Sequence, residues 1–186
     1  MTTQLKFRDS LKLIKNFKTS GTITPSSPRL IRRLLSSIEF EPARCIVELG
    51  PGNGCVTHEL LRRMHKDSIL ISFELNPEFF AQLQLIRDSR LHVVNVCAST
   101  IRDVLDGMGI DKVDHIVSSL PLALIDATVV DSILHSASVN LKSGGRFLQY
   151  QYSLKNYSDM KPIFSEVNLR FTFANMPPAF VYDCVK

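Results

Sequence analysis

Residues Cys45 to Gly54, C-I-V-E-L-G-P-G-N-G, restrict this 186-residue chain more than any other stretch. Cys45, Ile46 and Val47 form a short apolar run rich in branched side chains, the pattern of a strand buried on both faces. A turn with glycines at positions 50, 52 and 54 follows, after which Val56, Leu60, Leu61 and Met64 recur at helical spacing. Strand, glycine turn and helix open an α/β ligand site, because glycine admits positive φ and lets backbone approach a ligand with no Cβ in the way. The spacing G-x-G-x-G is not the dinucleotide fingerprint, and no Gly-Lys-Ser/Thr follows it as a phosphate loop requires. Two carboxylates sharpen the reading. Glu48 ends a strand that should be buried, which is costly unless it meets a polar partner. A second apolar run, Ile69 to Phe73, ends in Glu74, where an acidic side chain can accept hydrogen bonds from both ribose hydroxyls of a nucleoside.

From Gly54 onward the pattern alternates. Strands are predicted near 44–48, 69–74, 91–96, 113–118 and 145–152, and helices near 55–65, 77–87, 99–107 and 126–140. Asn76-Pro77 marks a helix start, and Gly144-Gly145 a turn into the fifth strand. The tail changes rhythm, with a helix near 157–164, a strand at 167–174, Pro177-Pro178, and a last strand at 179–185. Such alternation implies a parallel sheet covered on both faces, with ligands at the carboxyl ends of its strands.

The residues E-L-G-P-G-N-G, followed by F-E-L-N, resemble the first two motifs of class I S-adenosylmethionine-dependent methyltransferases. The resemblance implies a Rossmann-like α/β fold: a mostly parallel seven-stranded sheet, an antiparallel C-terminal hairpin, and helices on both faces. It implies that Gly50, Pro51, Gly52 and Gly54 line the amino-acid part of S-adenosylmethionine, with Glu48 facing its ammonium, and Glu74 and Leu75 at its ribose. Cys97 and Ala98 fall where related enzymes hold adenine. Cys97 replaces the usual acidic residue, which leaves the adenine to backbone groups or to Asn95 or Ser99.

After the fourth strand comes Ser118-Ser119-Leu120-Pro121-Leu122. RNA adenine dimethyltransferases, which share the architecture, carry here an asparagine, an aliphatic residue, a proline and an aromatic ring, suited to a planar base. With Ser119 for the amide and Leu122 for the ring, a flipped base loses a stacking partner, worth roughly 1–3 kcal/mol. The S-x-L-P-L form resembles bacterial phospholipid N-methyltransferases instead, as do F-L-Q-Y-Q-Y-S at Phe147 to Ser153 and Pro25-Ser26-Ser27 before the domain. That resemblance nominates Ser119, Pro121, Tyr150 and Tyr152 as catalytic, and Ser119 and Ser26 as cofactor contacts. His115, mid-strand, reads as a core residue rather than a base.

The basic balance sits at the front. Residues 1–44 hold nine Lys or Arg against three Asp or Glu, net +6, whereas the remainder holds 13 against 15, net −2. Placed on a helix, Leu5 to Lys18 gather Phe7, Leu11, Ile14 and Phe17 on one side, with Leu13 at the margin, and Arg8, Lys12 and Lys15 on an adjacent side, an amphipathic pattern. Such a helix suits an anionic membrane surface, or equally packs on the domain with its lysines in water. Ser27 then caps a helix beginning at Pro28, buried through Leu30, Ile31, Leu34, Leu35 and Ile38. The expected organisation is a basic capping segment over 1–40 and a cofactor-binding domain over 41–186. No run approaches the roughly 18 apolar residues of a membrane span, and Cys45, Cys55, Cys97 and Cys184 form no CxxC pair. The chain reads as a cytoplasmic N-methyltransferase, peripheral at the inner membrane, acting on a lipid amine such as phosphatidylethanolamine. An RNA adenine methyltransferase and a non-catalytic domain of the same fold are the rivals.

Overall fold

The computed structural model describes residues 26–173 and 177–186; the amphipathic stretch 5–18 lies outside them. Seven strands form one sheet: β1 Cys45–Leu49, β2 Ile69–Phe73, β3 Leu91–Val94, β4 Val113–Ser118, β5 Leu141–Gln151, β6 Glu166–Thr172 and β7 Ala179–Val185. Their order is β3-β2-β1-β4-β5-β7-β6, with β7 antiparallel to both of its neighbours and β1 to β5 parallel. The helices are α1 Pro28–Leu34, α2 Cys55–Arg63, α3 Pro77–Leu83, α4 Ile101–Gly107, α5 Ala127–Asn140 and α6 Tyr157–Met160. Strand order reverses between β1 and β4, and this is where an open α/β sheet offers a crevice at its carboxyl edge.

Each face of the sheet has its own core. Val47, Leu49, Ile71, Ile116 and Phe147 pack against Ile101 and Leu105 of α4 and Val130, Ile133 and Leu134 of α5. Ile46, Leu70, Val117, Leu148 and Val181 pack against Leu30, Ile31 and Leu34 of α1 and Val56, Leu60 and Leu61 of α2. The stripe Leu30, Ile31, Leu34, Leu35 and Ile38 is buried as its spacing predicts, and Arg29, Arg32 and Arg33 are exposed. Ser27 caps α1, its side chain accepting from Leu30 N at 3.1 Å with Pro28 at the first turn.

Three boundaries differ from the pattern-based expectation. Helix α3 ends at Leu83, because Leu85 and Ile86 turn back onto the carbonyls of Gln82 and Leu83 in tighter, three-residue turns. Strand β5 begins at Leu141 and carries the glycine pair inside it: Val113 pairs with Leu141 but His115 with Arg146, so a bulge of extra residues is absorbed there. Gly144 has φ +74, and a Cβ on Gly145 would lie 2.7 Å from the Asp114 carbonyl oxygen. The final helix shrinks to the single turn of α6.

At the amino edge, Asp114 ties three strands together. Its Oδ2 accepts from the backbone N–H of both Arg44 and Cys45 at 2.8 Å, and its Oδ1 pairs with Lys142. Burial alone would raise its pKa; the Lys142 ammonium and the two backbone donors outweigh it and hold the carboxyl below its usual range.

Candidate active site

Register places the site. Phe73, Leu49, Ser118 and Gln149 stand level across β2, β1, β4 and β5, so the loops that follow all emerge at one edge. The first loop is the glycine turn. Gly50, Gly52 and Gly54 adopt φ +68, +57 and +81, values open to glycine and costly for other residues. Gly50 N donates to Phe73 O at 3.0 Å, which pins the turn to β2. Pro51 and Gly52 are buried within it.

Glu48 lies beneath the turn, fully buried on the face toward α2. Its Oε2 accepts from Thr57 Oγ1 and Ser72 Oγ, each at 2.8 Å, while Oε1 has no hydrogen-bond partner among the described residues. Burial drives its pKa up from 4.5 to about 7; the Thr57 and Ser72 hydroxyls pull it down, and the neighbouring charge of Glu74 pushes it up again. A carboxyl with one buried lone acceptor is complementary to a cation brought to it.

Glu74 is buried at the tip of β2 and grips the turn from the other side. Its Oε2 accepts from Gly52 N at 2.9 Å and its Oε1 from Asn76 N at 2.8 Å. Both oxygens keep lone pairs for further donors. Leu75 is half-buried beside it. Asn95 Nδ2 donates to the Glu74 carbonyl at 2.7 Å, so that side chain braces the strand tip. Beyond β3, Cys97 caps a single 3₁₀ turn: its Sγ lies 2.9 Å from Ser99 Oγ, which spends the serine hydroxyl locally. Ala98 is buried in the core.

The other nominated residues gather on the β4–β5 side. Ser119 N donates to Leu49 O at 2.9 Å, and its Oγ is buried with no partner among the described residues. Pro121 starts a 3₁₀ turn, Leu122–Leu124, and Leu122 is fully buried in the core rather than turned to the crevice. Tyr150 and Tyr152 meet edge to face at 6.0 Å, and the Ser26 hydroxyl donates to the Tyr150 oxygen at 2.9 Å. Ser26 is thus joined to β5 through its hydroxyl. His115 sits half-buried further down β4, its pKa lowered chiefly by burial, away from the carboxyl edge.

Sequence reasoning missed three participants. Thr57 and Ser72 hold Glu48; a hydroxyl on the buried stripe of α2 and another inside the run I-L-I-S-F were the signals. Gln149, fully buried, is the third. Its Nε2 donates to Leu120 O at 3.0 Å and to Tyr150 O, and its Oε1 is unpartnered among the described residues. Leu120 in turn lies so close over Gly50 that a Cβ there would be 2.6 Å from Leu120 Cδ2. Contacts therefore run unbroken from the glycine turn through Leu120 and Gln149 to Tyr150 and Ser26.

No family model matches the chain. An ornithine lipid N-methyltransferase of Singulisphaera acidiphila is 31% identical over 177 residues, covering 93% of this chain and 92% of that protein. Among solved structures, the 1,6-didemethyltoxoflavin-N1-methyltransferase of Burkholderia thailandensis, bound to 1,6-didemethyltoxoflavin and S-adenosylhomocysteine, superposes with a TM-score of 0.71 at 12% identity, covering all of this chain and 91% of that one. The N-methyltransferase NodS of Bradyrhizobium japonicum, in complex with S-adenosylhomocysteine, gives 0.67 at 15% identity, covering 85% and 84%. These two structures share the fold, and the Singulisphaera relative carries the relationship: the chain belongs to the family of that ornithine lipid N-methyltransferase, within the class I S-adenosylmethionine-dependent methyltransferases.

Proposed function

We propose that this enzyme methylates the nitrogen of a membrane lipid amine with a head group like that of phosphatidylethanolamine. The observation that carries the reading is the pair of buried, unpartnered acceptors, Ser119 Oγ and Gln149 Oε1, at the carboxyl ends of β4 and β5. Two oxygens awaiting donors suit the N–H groups of an alkyl amine. The burial of Leu122 removes the ring on which a planar base would stack. The ornithine lipid named for the relative is a lipid amine as well.

The residues fit the cofactor. Glu48 Oε1 would take its ammonium, Gly50, Pro51, Gly52 and Gly54 its amino-acid chain, Glu74 and Leu75 its ribose, and Cys97 and Ala98 the adenine end. When bound, S-adenosylmethionine supplies a methyl group already activated on a sulfonium. Everything else asked of the protein is positioning, with donor and acceptor held near 3–3.5 Å and water kept out. An ammonium head group must lose a proton before its lone pair can attack. Ser119 and Gln149 orient the amine, and Tyr150 and Tyr152 stand beside them to relay that proton and to face the methylated cation. Pro121 fixes the entry of the 3₁₀ turn that follows Ser119.

Among the described residues no helix is long and apolar enough to cross a membrane. We place the enzyme at the membrane surface in the cytoplasm, with residues 1–40 as a basic cap on a cofactor domain spanning 41–186. The test is methyl transfer from labelled S-adenosylmethionine to phosphatidylethanolamine and ornithine lipid in mixed micelles, beside structured RNA at matched salt. Label in the lipid phase is expected; label in RNA alone would transfer the site to a nucleic-acid substrate.

A further inference from the structure

Because β7 is the antiparallel member between β5 and β6, strand β6 runs parallel to β5 and ends at the same edge as the site. Gln151, Phe180 and Phe171 stand level across β5, β7 and β6. Beyond that row the surface is apolar: Phe173 is 81% exposed, Leu154 46% and Phe171 45%. The rings of Phe171 and Phe173 meet edge to face at 4.6 Å, and Phe171 lies 5.0 Å from Phe180. Exposed phenylalanines packed on one another at a sheet edge mark a contact surface.

One cation borders it, and others stand across the sheet: Lys155 is exposed next to Leu154. Helix α1 lies over the same three strands near their carboxyl ends but on the opposite face of the sheet, its flanking residues Ser26 and Ser36 bonded to Tyr150 of β5 and Arg170 of β6, one residue out of step with the Gln151–Phe180–Phe171 row. Its outward side carries Arg29, Arg32 and Arg33. Glu166 is at the opposite, amino end of β6. Exposed aromatic rings with a lysine beside them, and arginines on the other side of the same sheet edge, are the chemistry of a lipid headgroup interface with anionic lipids.

We propose that the edge formed by Leu154, Phe171 and Phe173 inserts into an anionic bilayer and sets the mouth of the acceptor site at headgroup depth. This deepens the lipid-amine reading and rests on it for its purpose. Lifting a two-chain lipid clear of its bilayer exposes every methylene to water. An enzyme whose acceptor edge lies in the interface needs to draw out only the head group.

The chain contains no tryptophan, so Phe173→Trp gives the full-length protein a single indole at this edge. Vesicles of phosphatidylethanolamine and phosphatidylglycerol should shift its emission to shorter wavelength, and brominated acyl chains should quench it. The double variant Phe171→Ser/Phe173→Ser should lower the vesicle partition coefficient about tenfold, with S-adenosylhomocysteine affinity and transfer to amine lipid in micelles retained. Failure to bind vesicles, or vesicle binding with the indole unshifted and unquenched, overturns the surface. So does a shift without lipid that grows with protein concentration, which identifies a second copy as the occupant. If the wild-type protein transfers no methyl to any lipid in micelles while the indole still inserts, the substrate reading falls and the bilayer contact stands.

Discussion

The Ser26 hydroxyl reaches the Tyr150 phenol oxygen at 2.9 Å across 124 positions of chain, tying the residue pair that precedes α1 to the carboxyl end of β5. Each partner alone is unremarkable: a loop serine and a strand tyrosine. Together they fasten α1 over β5 at the carboxyl edge of the sheet. Ser26→Ala and Tyr150→Phe should each cost about 1 kcal/mol, and the double variant should cost less than the sum of the two. Urea unfolding of the four proteins in the cycle measures this, and strictly additive costs would mean that the contact contributes nothing.

Glu48 should make stability pH-dependent in an unusual direction. Its folded pKa of about 7 lies above the ordinary 4.5, so between these values the native chain holds a proton that the unfolded chain has released. Stability therefore falls as pH rises through that window, by about 3 kcal/mol at most, and is greatest below it as far as this group is concerned. Glu48→Gln should flatten the slope and gain stability at pH 8. A bound ammonium reverses the preference, so S-adenosylhomocysteine binding at pH 6 should expel close to one proton. Calorimetry in buffers of different ionisation enthalpy reads that release.

Glu74→Ala leaves the N–H groups of Gly52 and Asn76 without their acceptor and removes the carboxylate that we propose meets the ribose. Affinity for S-adenosylhomocysteine should drop by at least about tenfold. Glu74→Gln, which retains one acceptor oxygen, should fall between the two. Titration calorimetry beside a circular-dichroism check of folding separates a lost ligand contact from a lost turn.

Gly50→Ala should be destabilising for two separable reasons. Its φ of +68 strains any residue with a Cβ, at about 1–3 kcal/mol, and that Cβ would collide with Leu120. Repeating the change in a Leu120→Ala background should recover the collision but not the backbone strain. Thermal unfolding of the three variants checks the division; equal costs in both backgrounds would exclude the Leu120 contact.

Much of the frame was legible because it is local. Ile69–Phe73 reads as a strand from its branched run, Ser27-Pro28 as a helix start from its chemistry, and the alternation of periods determines the parallel sheet. The tips of β1 and β2 were legible too, since a carboxylate after an apolar run has few other uses. What escaped were relationships between distant positions. Nothing near Glu48 in the sequence says that Thr57 and Ser72 will both turn to it. Gln149 looked like an ordinary strand residue until its neighbours were known. Leu122, expected at the substrate side by alignment with an aromatic, is drawn into the core by a 3₁₀ turn that no periodicity announces. The glycine pair at 144 and 145 signalled a boundary and instead marks a bulge within β5.

The Asp114 carboxylate, clasping the entry of β1 and the start of β5, makes the molecule stiff at its foot. Three central strands are joined there, at the edge opposite the glycine turn. A sheet bound so at its base, like a tuft of reeds, is expected to open last at the root: the Arg44 and Cys45 amides should be among the slowest to exchange.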